Sequence, residues 1–232
     1  MSGLWVVLLL IFIASAPVFP AYVWLRSKGV SFLWFIASLG TGAVSLGIAG
    51  FLQTLLFYAV SGTRQAPAET GAGLLFFTLF IQIALTEETG RFISLALLFG
   101  AGNRLKALPE ESRLVSFGAA AGLTAGLGFG IIETAAYGAA NIGIAVLRAF
   151  TAAPLHGACG ARVGTSALLG KRTPILSVCR FFSAVALHGM YNFMVINPGI
   201  PRFFSILIAL LSLIASLQVI KTGYAEKNDL LN

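Results

Sequence analysis

The chain has 232 residues, of which 58% are hydrophobic and 10% charged, and its mean hydropathy is +0.92. A soluble domain carries about 25% charged residues, so this composition leaves too little polar surface to cover a single apolar core. Hydrophobicity, glycine spacing and the presence of two cysteines exclude disorder, a collagen-like fibre and a disulfide-stapled scaffold. The net charge of +7 comes from basic residues dispersed between apolar segments. That pattern sets membrane topology and meets anionic headgroups, and it implies no nucleic-acid partner. The composition describes a polytopic membrane protein.

A bilayer core takes about 20 consecutive apolar residues in a helix. Seven segments satisfy that length in chain order: roughly 3–25, 31–60, 72–101, 114–139, 142–169, 174–197 and 202–221. The first could pass for a signal peptide, with Leu4–Ile13 apolar and Ala14-Ser15-Ala16 resembling a cleavage site. No Lys or Arg precedes it and Pro17 follows, so it is read as a first span. The second and third are long enough to be tilted or broken. Gly40, Gly42, Gly47 and Gly50 make a bend in the second an expectation.

Glycines recur every four residues in the fourth segment, at Gly118, Gly122, Gly126 and Gly130. This small-xxx-small spacing predicts a tightly packed helix at the centre of the bundle. In the fifth, Pro154 should kink the helix. Cys159 and Cys179 fall in apolar stretches, where thiols act as small hydrophobes.

Alternate loops and the C-terminus carry Arg26, Lys28, Arg104, Lys106, Arg113, Lys171, Arg172, Lys221 and Lys227; the opposite loops carry Arg64 and Arg202. That asymmetry places the N-terminus outside and the C-terminus in the cytoplasm. The fold expected is therefore an all-α membrane protein, a bundle of about seven transmembrane helices. Residues 1–232 form one polytopic membrane domain, with the four spans within 72–197 as its candidate catalytic core. The expected location is the plasma (inner) membrane of a prokaryote.

The informative residues are ionisable groups inside apolar spans, each costing roughly 2.5–3.5 kcal/mol at a helix centre on insertion scales. Glu87, Glu88, Arg91, Glu133 and Arg148 occupy such places, as do both histidines of the chain, His156 and His188. Arg91 shares a helix face with Glu87 and Glu88, at i+4 and i+3, and Asn192 shares one with His188. Four helices thus bring carboxylates and imidazoles to similar depths. There is no His-Glu-x-x-His helix, no Gly-x-Ser-x-Gly elbow and no phosphate-binding glycine loop.

At these residues the sequence resembles the PrsW-type membrane-embedded proteases, in the superfamily that contains the CAAX-processing proteases. That family shows Glu-Glu-x-x-Lys, Phe-x-x-x-Glu-Asn, an Arg followed eight residues later by His, and His-Gly-x-Tyr-Asn/Asp. Here these read Glu87-Glu88-Thr89-Gly90-Arg91, Phe129 through Glu133-Thr134, Arg148 through His156, and His188-Gly189-Met190-Tyr191-Asn192. Arg91 stands where the family has Lys, and Thr134 where it has Asn.

The resemblance implies an intramembrane endopeptidase acting on membrane-anchored protein substrates. Glu87, with Glu133 and His156, would hold and deprotonate a water, while His188 and Asn192 are suited to oxyanion stabilisation. Arg91 and Arg148 would offset carboxylate charge, Glu88 would pair with one of them, and Phe129 supports the site. Two histidines and one or two glutamates (Glu87, Glu133, His156, His188) form an acceptable set for a divalent metal such as zinc. A metal-free glutamate/histidine mechanism uses the same residues, so both remain open. Other functional classes are a non-catalytic scaffold subunit of a protease complex, like the distantly similar gamma-secretase scaffold subunit, and a proton-coupled transporter. Oligomeric state has no signature in the sequence.

Overall fold

The computed structural model describes residues 3–60, 75–138, 142–170 and 172–225. Apolar runs become helices, and among the described residues there is no strand, because a backbone surrounded by hydrocarbon must satisfy its own hydrogen bonds. The elements are α1 (Gly3–Ala14), α2 (Val18–Ser27) and α3 (Phe32–Val60), then a π-helical stretch (Phe77–Leu85) that runs directly into α4 (Thr86–Arg104). A 3-10 turn (Glu111–Arg113) precedes α5 (Leu114–Gly138), α6 (Ile142–Phe150), α7 (Ala152–Leu169), α8 (Pro174–Ile196) and α9 (Phe203–Ala225).

Three segments are long and apolar enough to cross a membrane unaided: Phe32–Tyr58, Glu111–Gly138 and Phe203–Thr222. The bent pairs α1–α2 (41°) and α6–α7 (42°) raise the number to five if each is one span. The sequence expectation was seven. The two further candidates, 72–101 and 174–197, are helical over their described residues but hold the polar groups: Glu87, Glu88 and Arg91 in one, Arg180, His188 and Asn192 in the other.

The bends have local causes. Pro17 has no amide hydrogen to carry α1 into α2. In the fifth segment Pro154 cannot donate to the carbonyl of Phe150, and its ring crowds that carbonyl. The break therefore falls at Thr151, three residues upstream, where φ is −121° and ψ −62°. The Thr151 hydroxyl donates back to the Leu147 carbonyl at 2.9 Å and accepts from the Tyr191 hydroxyl at 3.1 Å, which ties the break to α8. The second segment is not broken: α3 runs continuously for 29 residues.

Helix α5 is the centre, with 83% of its spanning window buried against 28% for α3 and for α9. Its glycine stripe lies against α7. A Cβ on Gly122 would sit 1.9 Å from the Gly160 carbonyl oxygen, and one on Gly126 would sit 1.9 Å from that of His156. Gly118 meets Gly164 in the same way at 3.0 Å. On another face of α5, Gly128 admits the Leu39 carbonyl of α3, and Gly42 of α3 admits that of Ala125. These contacts are backbone against backbone, and only glycine permits them.

Candidate active site

The close approach at Gly126 seats the backbone of His156 directly on α5, two turns below Glu133. From there His156 Nε2 reaches Glu133 Oε2 at 2.5 Å. The same carboxylate oxygen receives Arg148 Nη2 at 2.7 Å from the end of α6, just before the Thr151 break. The Arg148 guanidinium also lies 4.2 Å over the Tyr137 ring. The bend forced by Pro154 and the glycine seam thus meet at one carboxylate.

Arg91 is the hub of the cluster and is fully buried. One terminal nitrogen donates to Glu88 Oε2, forming a buried ion pair on α4. The other lies 3.5 Å from His156 Nδ1, and the guanidinium carbon stands 4.6 Å over the Phe129 ring. Phe129 in turn contacts the His156 imidazole, with ring centroids 5.0 Å apart. The planar fork of arginine reaches two partners in different directions, which the single ammonium of lysine does less well. That geometry gives Arg91 a structural use at the position where lysine was expected.

These contacts assign the imidazole hydrogens. His188 Nδ1 is 2.8 Å from Glu88 Oε1, and a carboxylate paired with arginine accepts, so Nδ1–H donates. His188 Nε2 points toward Glu87, whose Oε2 is 3.6 Å away. In His156 the other nitrogen faces the carboxylate: Arg91 donates to Nδ1, and Nε2–H donates to Glu133. The two rings stand edge to face with centroids 5.1 Å apart.

Glu87 is the least engaged member. Its Oε1 accepts from Gln53 Nε2 of α3 at 3.4 Å, while Oε2 is buried without a hydrogen-bond partner among the described residues. An unsatisfied buried carboxylate oxygen costs stability, and such atoms concentrate where a ligand or water belongs. The site residues named from the sequence are thus brought into one cluster, apart from Asn192. That side chain is half-buried on α8 and makes no hydrogen bond among the described residues. Thr134 is fully buried with its hydroxyl unpartnered. Gln53 and Tyr137 were not singled out in the sequence. Gln53 had a legible signal, a lone amide among the apolar residues of α3.

A model of the PrsW family of intramembrane metalloproteases matches residues 30–217. The chain belongs to that family. It is accordingly an integral membrane protein of a membrane-embedded protease family, and the match spans every residue of the cluster. None of the curated proteins and none of the solved structures matches it.

The family's name raises the question of a metal. Catalytic zinc takes three protein ligands and one open position. Among the described residues no three His, Cys, Asp or Glu side chains converge on one point. Glu133 Oε2 is shared by Arg148 and His156, and both His156 nitrogens are engaged. Glu87 Oε2, His188 Nε2 and the second oxygen of Glu133 remain open, but these three do not converge on one point. As arranged, the PrsW-family cluster does not fit a three-ligand metal.

Proposed function

We propose that this PrsW-family protein hydrolyses peptide bonds of membrane-anchored protein substrates at the Glu87/His188 pair. One observation carries the reading: the buried Oε2 of Glu87, without a hydrogen-bond partner among the described residues, faces His188 Nε2 at 3.6 Å. A water bonded to both atoms has a proton acceptor and an orienting partner in one place. Glu133 lies within electrostatic reach of Glu87 and, held by His156 and Arg148, supplies a second acceptor for that water.

In this reading Glu87 takes one water proton as the water oxygen bonds to the substrate carbonyl carbon and the carbonyl electron pair moves to oxygen. Asn192, one turn beyond His188 on α8, donates to that oxyanion. Since His188 Nδ1–H is committed to Glu88, His188 holds the water here, a change from the oxyanion role expected of it. Glu87 then returns its proton to the departing amine nitrogen as the carbon–nitrogen bond breaks. No step is routed through a metal. Residues 72–197 form the catalytic core of a single membrane domain of seven spans. The N-terminus is outside and the C-terminus in the cytoplasm of a prokaryotic cell, as the nine-to-two distribution of basic residues supports.

The test is co-expression with a panel of tagged single-span membrane proteins. Wild type is compared with Glu87→Gln, Glu133→Gln and His156→Ala, each matched for expression and thermal unfolding. Cleavage by wild type alone is the expected result, with losses of roughly 10²–10⁴-fold for the base. Full cleavage by Glu133→Gln would sink the mechanism. Chelation followed by zinc add-back on the wild type reads out the catalytic type directly.

A further inference from the structure

Four arginines lie within or at the edges of the spans: Arg91, Arg148, Arg162 and Arg180. The first two face carboxylates in the catalytic cluster. The other two converge elsewhere, on a cavity of about 210 Å³ between α5, α7, α8 and α9 whose polar lining includes Thr165, Ser183 and Ser216. Neither has an acidic partner within ion-pair distance among the described residues.

An arginine near a span end ordinarily snorkels its charge outward to water. Arg162 does the reverse. Its Nη1 donates to the Ala158 carbonyl at 2.9 Å, one turn back toward the middle of α7, and to Ser216 Oγ of α9 at 3.3 Å. Arg180 Nη1 is buried in the same wall with no hydrogen-bond partner among the described residues. Both arginines line this one cavity, and one of them brings a buried donor with no hydrogen-bond partner among the described residues, a lining that suits an anion.

Depth indicates which anion. Arg162 follows His156 by six residues and Arg180 precedes His188 by eight, about 9 and 12 Å along their helices. Both displacements run toward the α7–α8 turn, near Arg172, and the wall from α9 lies near Lys221. This is the end of the bundle where the basic residues gather and where lipid phosphates sit. Arginine forks match phosphate oxygens bidentately.

We propose that the Arg162/Arg180 pocket binds a phosphate group, presented by an anionic lipid headgroup or as free phosphate. The site is separate from the catalytic cluster and does not depend on the reading given for it. The test uses the full chain purified in a phosphate-free neutral detergent. It is titrated with phosphatidylglycerol, phosphatidylcholine or inorganic phosphate, and bound adducts are counted by native mass spectrometry.

Wild type should bind phosphatidylglycerol or inorganic phosphate at least about tenfold more tightly than the Arg162→Gln/Arg180→Gln variant. Phosphatidylcholine, which is zwitterionic, should show no such dependence. Arg172→Gln, which removes a basic residue at the same end that is already paired with Glu111, should bind as wild type does. Arginine-dependent binding of phosphatidylglycerol but not phosphate assigns the lipid; dependence for phosphate alone assigns the free anion. Equal binding by wild type and the double variant, or no binding of either ligand, overturns the proposal. If the double variant unfolds, Arg180→Gln alone leaves the Arg162–Ser216 bond in place and carries the same comparison.

Discussion

Helices α3 and α5 are both rich in glycine, yet they use it differently. In α5 the four glycines recur at i+4, stay on one face and admit the backbone of α7. In α3 the intervals are two, five and three residues, so the glycines rotate around the helix. Gly42 alone meets a neighbour, while Gly40, Gly47 and Gly50 have nothing within 4 Å of a Cβ. Spacing rather than number decides whether glycine builds a seam. The seam in turn builds the site, because Gly126 seats His156 against Glu133.

The sharpest test of that comparison is Gly126→Ala. Its Cβ would lie 1.9 Å from the His156 carbonyl oxygen and 2.5 Å from the carbonyl carbon, so α7 must move away. The expected cost is about 1–3 kcal/mol of stability, with cleavage falling roughly 10²-fold as His156 leaves Glu133. Thermal unfolding in detergent and cleavage per folded molecule separate the two effects. Wild-type values for both would break the link between seam and site.

Gly42→Ala sharpens the same point within α3. Its Cβ would meet the Ala125 carbonyl oxygen at 2.1 Å, so a similar stability loss of about 1–3 kcal/mol is expected. No site residue sits at that contact apart from the backbone of Phe129, and cleavage per folded molecule should fall less than for Gly126→Ala. A larger fall than in Gly126→Ala would show that α3, and not the α5–α7 seam, sets the geometry of the cluster.

Gln53→Leu removes the one side-chain donor that α3 gives the cluster among the described residues. The bond is long, so its loss should cost about 1 kcal/mol and lower cleavage roughly fivefold with little change in unfolding temperature. Unchanged kinetics would mean that α3 only walls the site. The smallest effect is expected from Gly47→Ala, where open space surrounds the position. Helix propensity favours the change by up to about 1 kcal/mol, and cleavage should stay at the wild-type level. A loss as large as that of Gly126→Ala would place an unseen partner against this face.

Much of this protein was legible in one dimension. Apolar run lengths located the helices, because a chain in hydrocarbon must close its own hydrogen bonds. Ionisable residues in those runs marked the cluster, because their insertion cost requires a return. The i+4 glycines announced a central helix, and Pro154 announced a break. Sequence spacing also placed Arg91 on one face with Glu87 and Glu88, and local helix geometry settles such pairs.

Contacts between helices were decided only in three dimensions. Nothing in one helix states the register of its neighbour, so the facing of Gly126 and His156, and with it the Glu133 clamp, had to come from packing. The same holds for Arg91 bridging Glu88 to His156, and for the opposite ring nitrogens that the two histidines turn to their carboxylates, with Nδ1 partners 65 and 100 residues away in the chain. The gathering of Arg162 and Arg180 around one cavity is another such result. Composition and period are carried along a single helix. Which side chains share a proton or a charge depends on which backbones can touch, and here glycine and a proline bend made that choice.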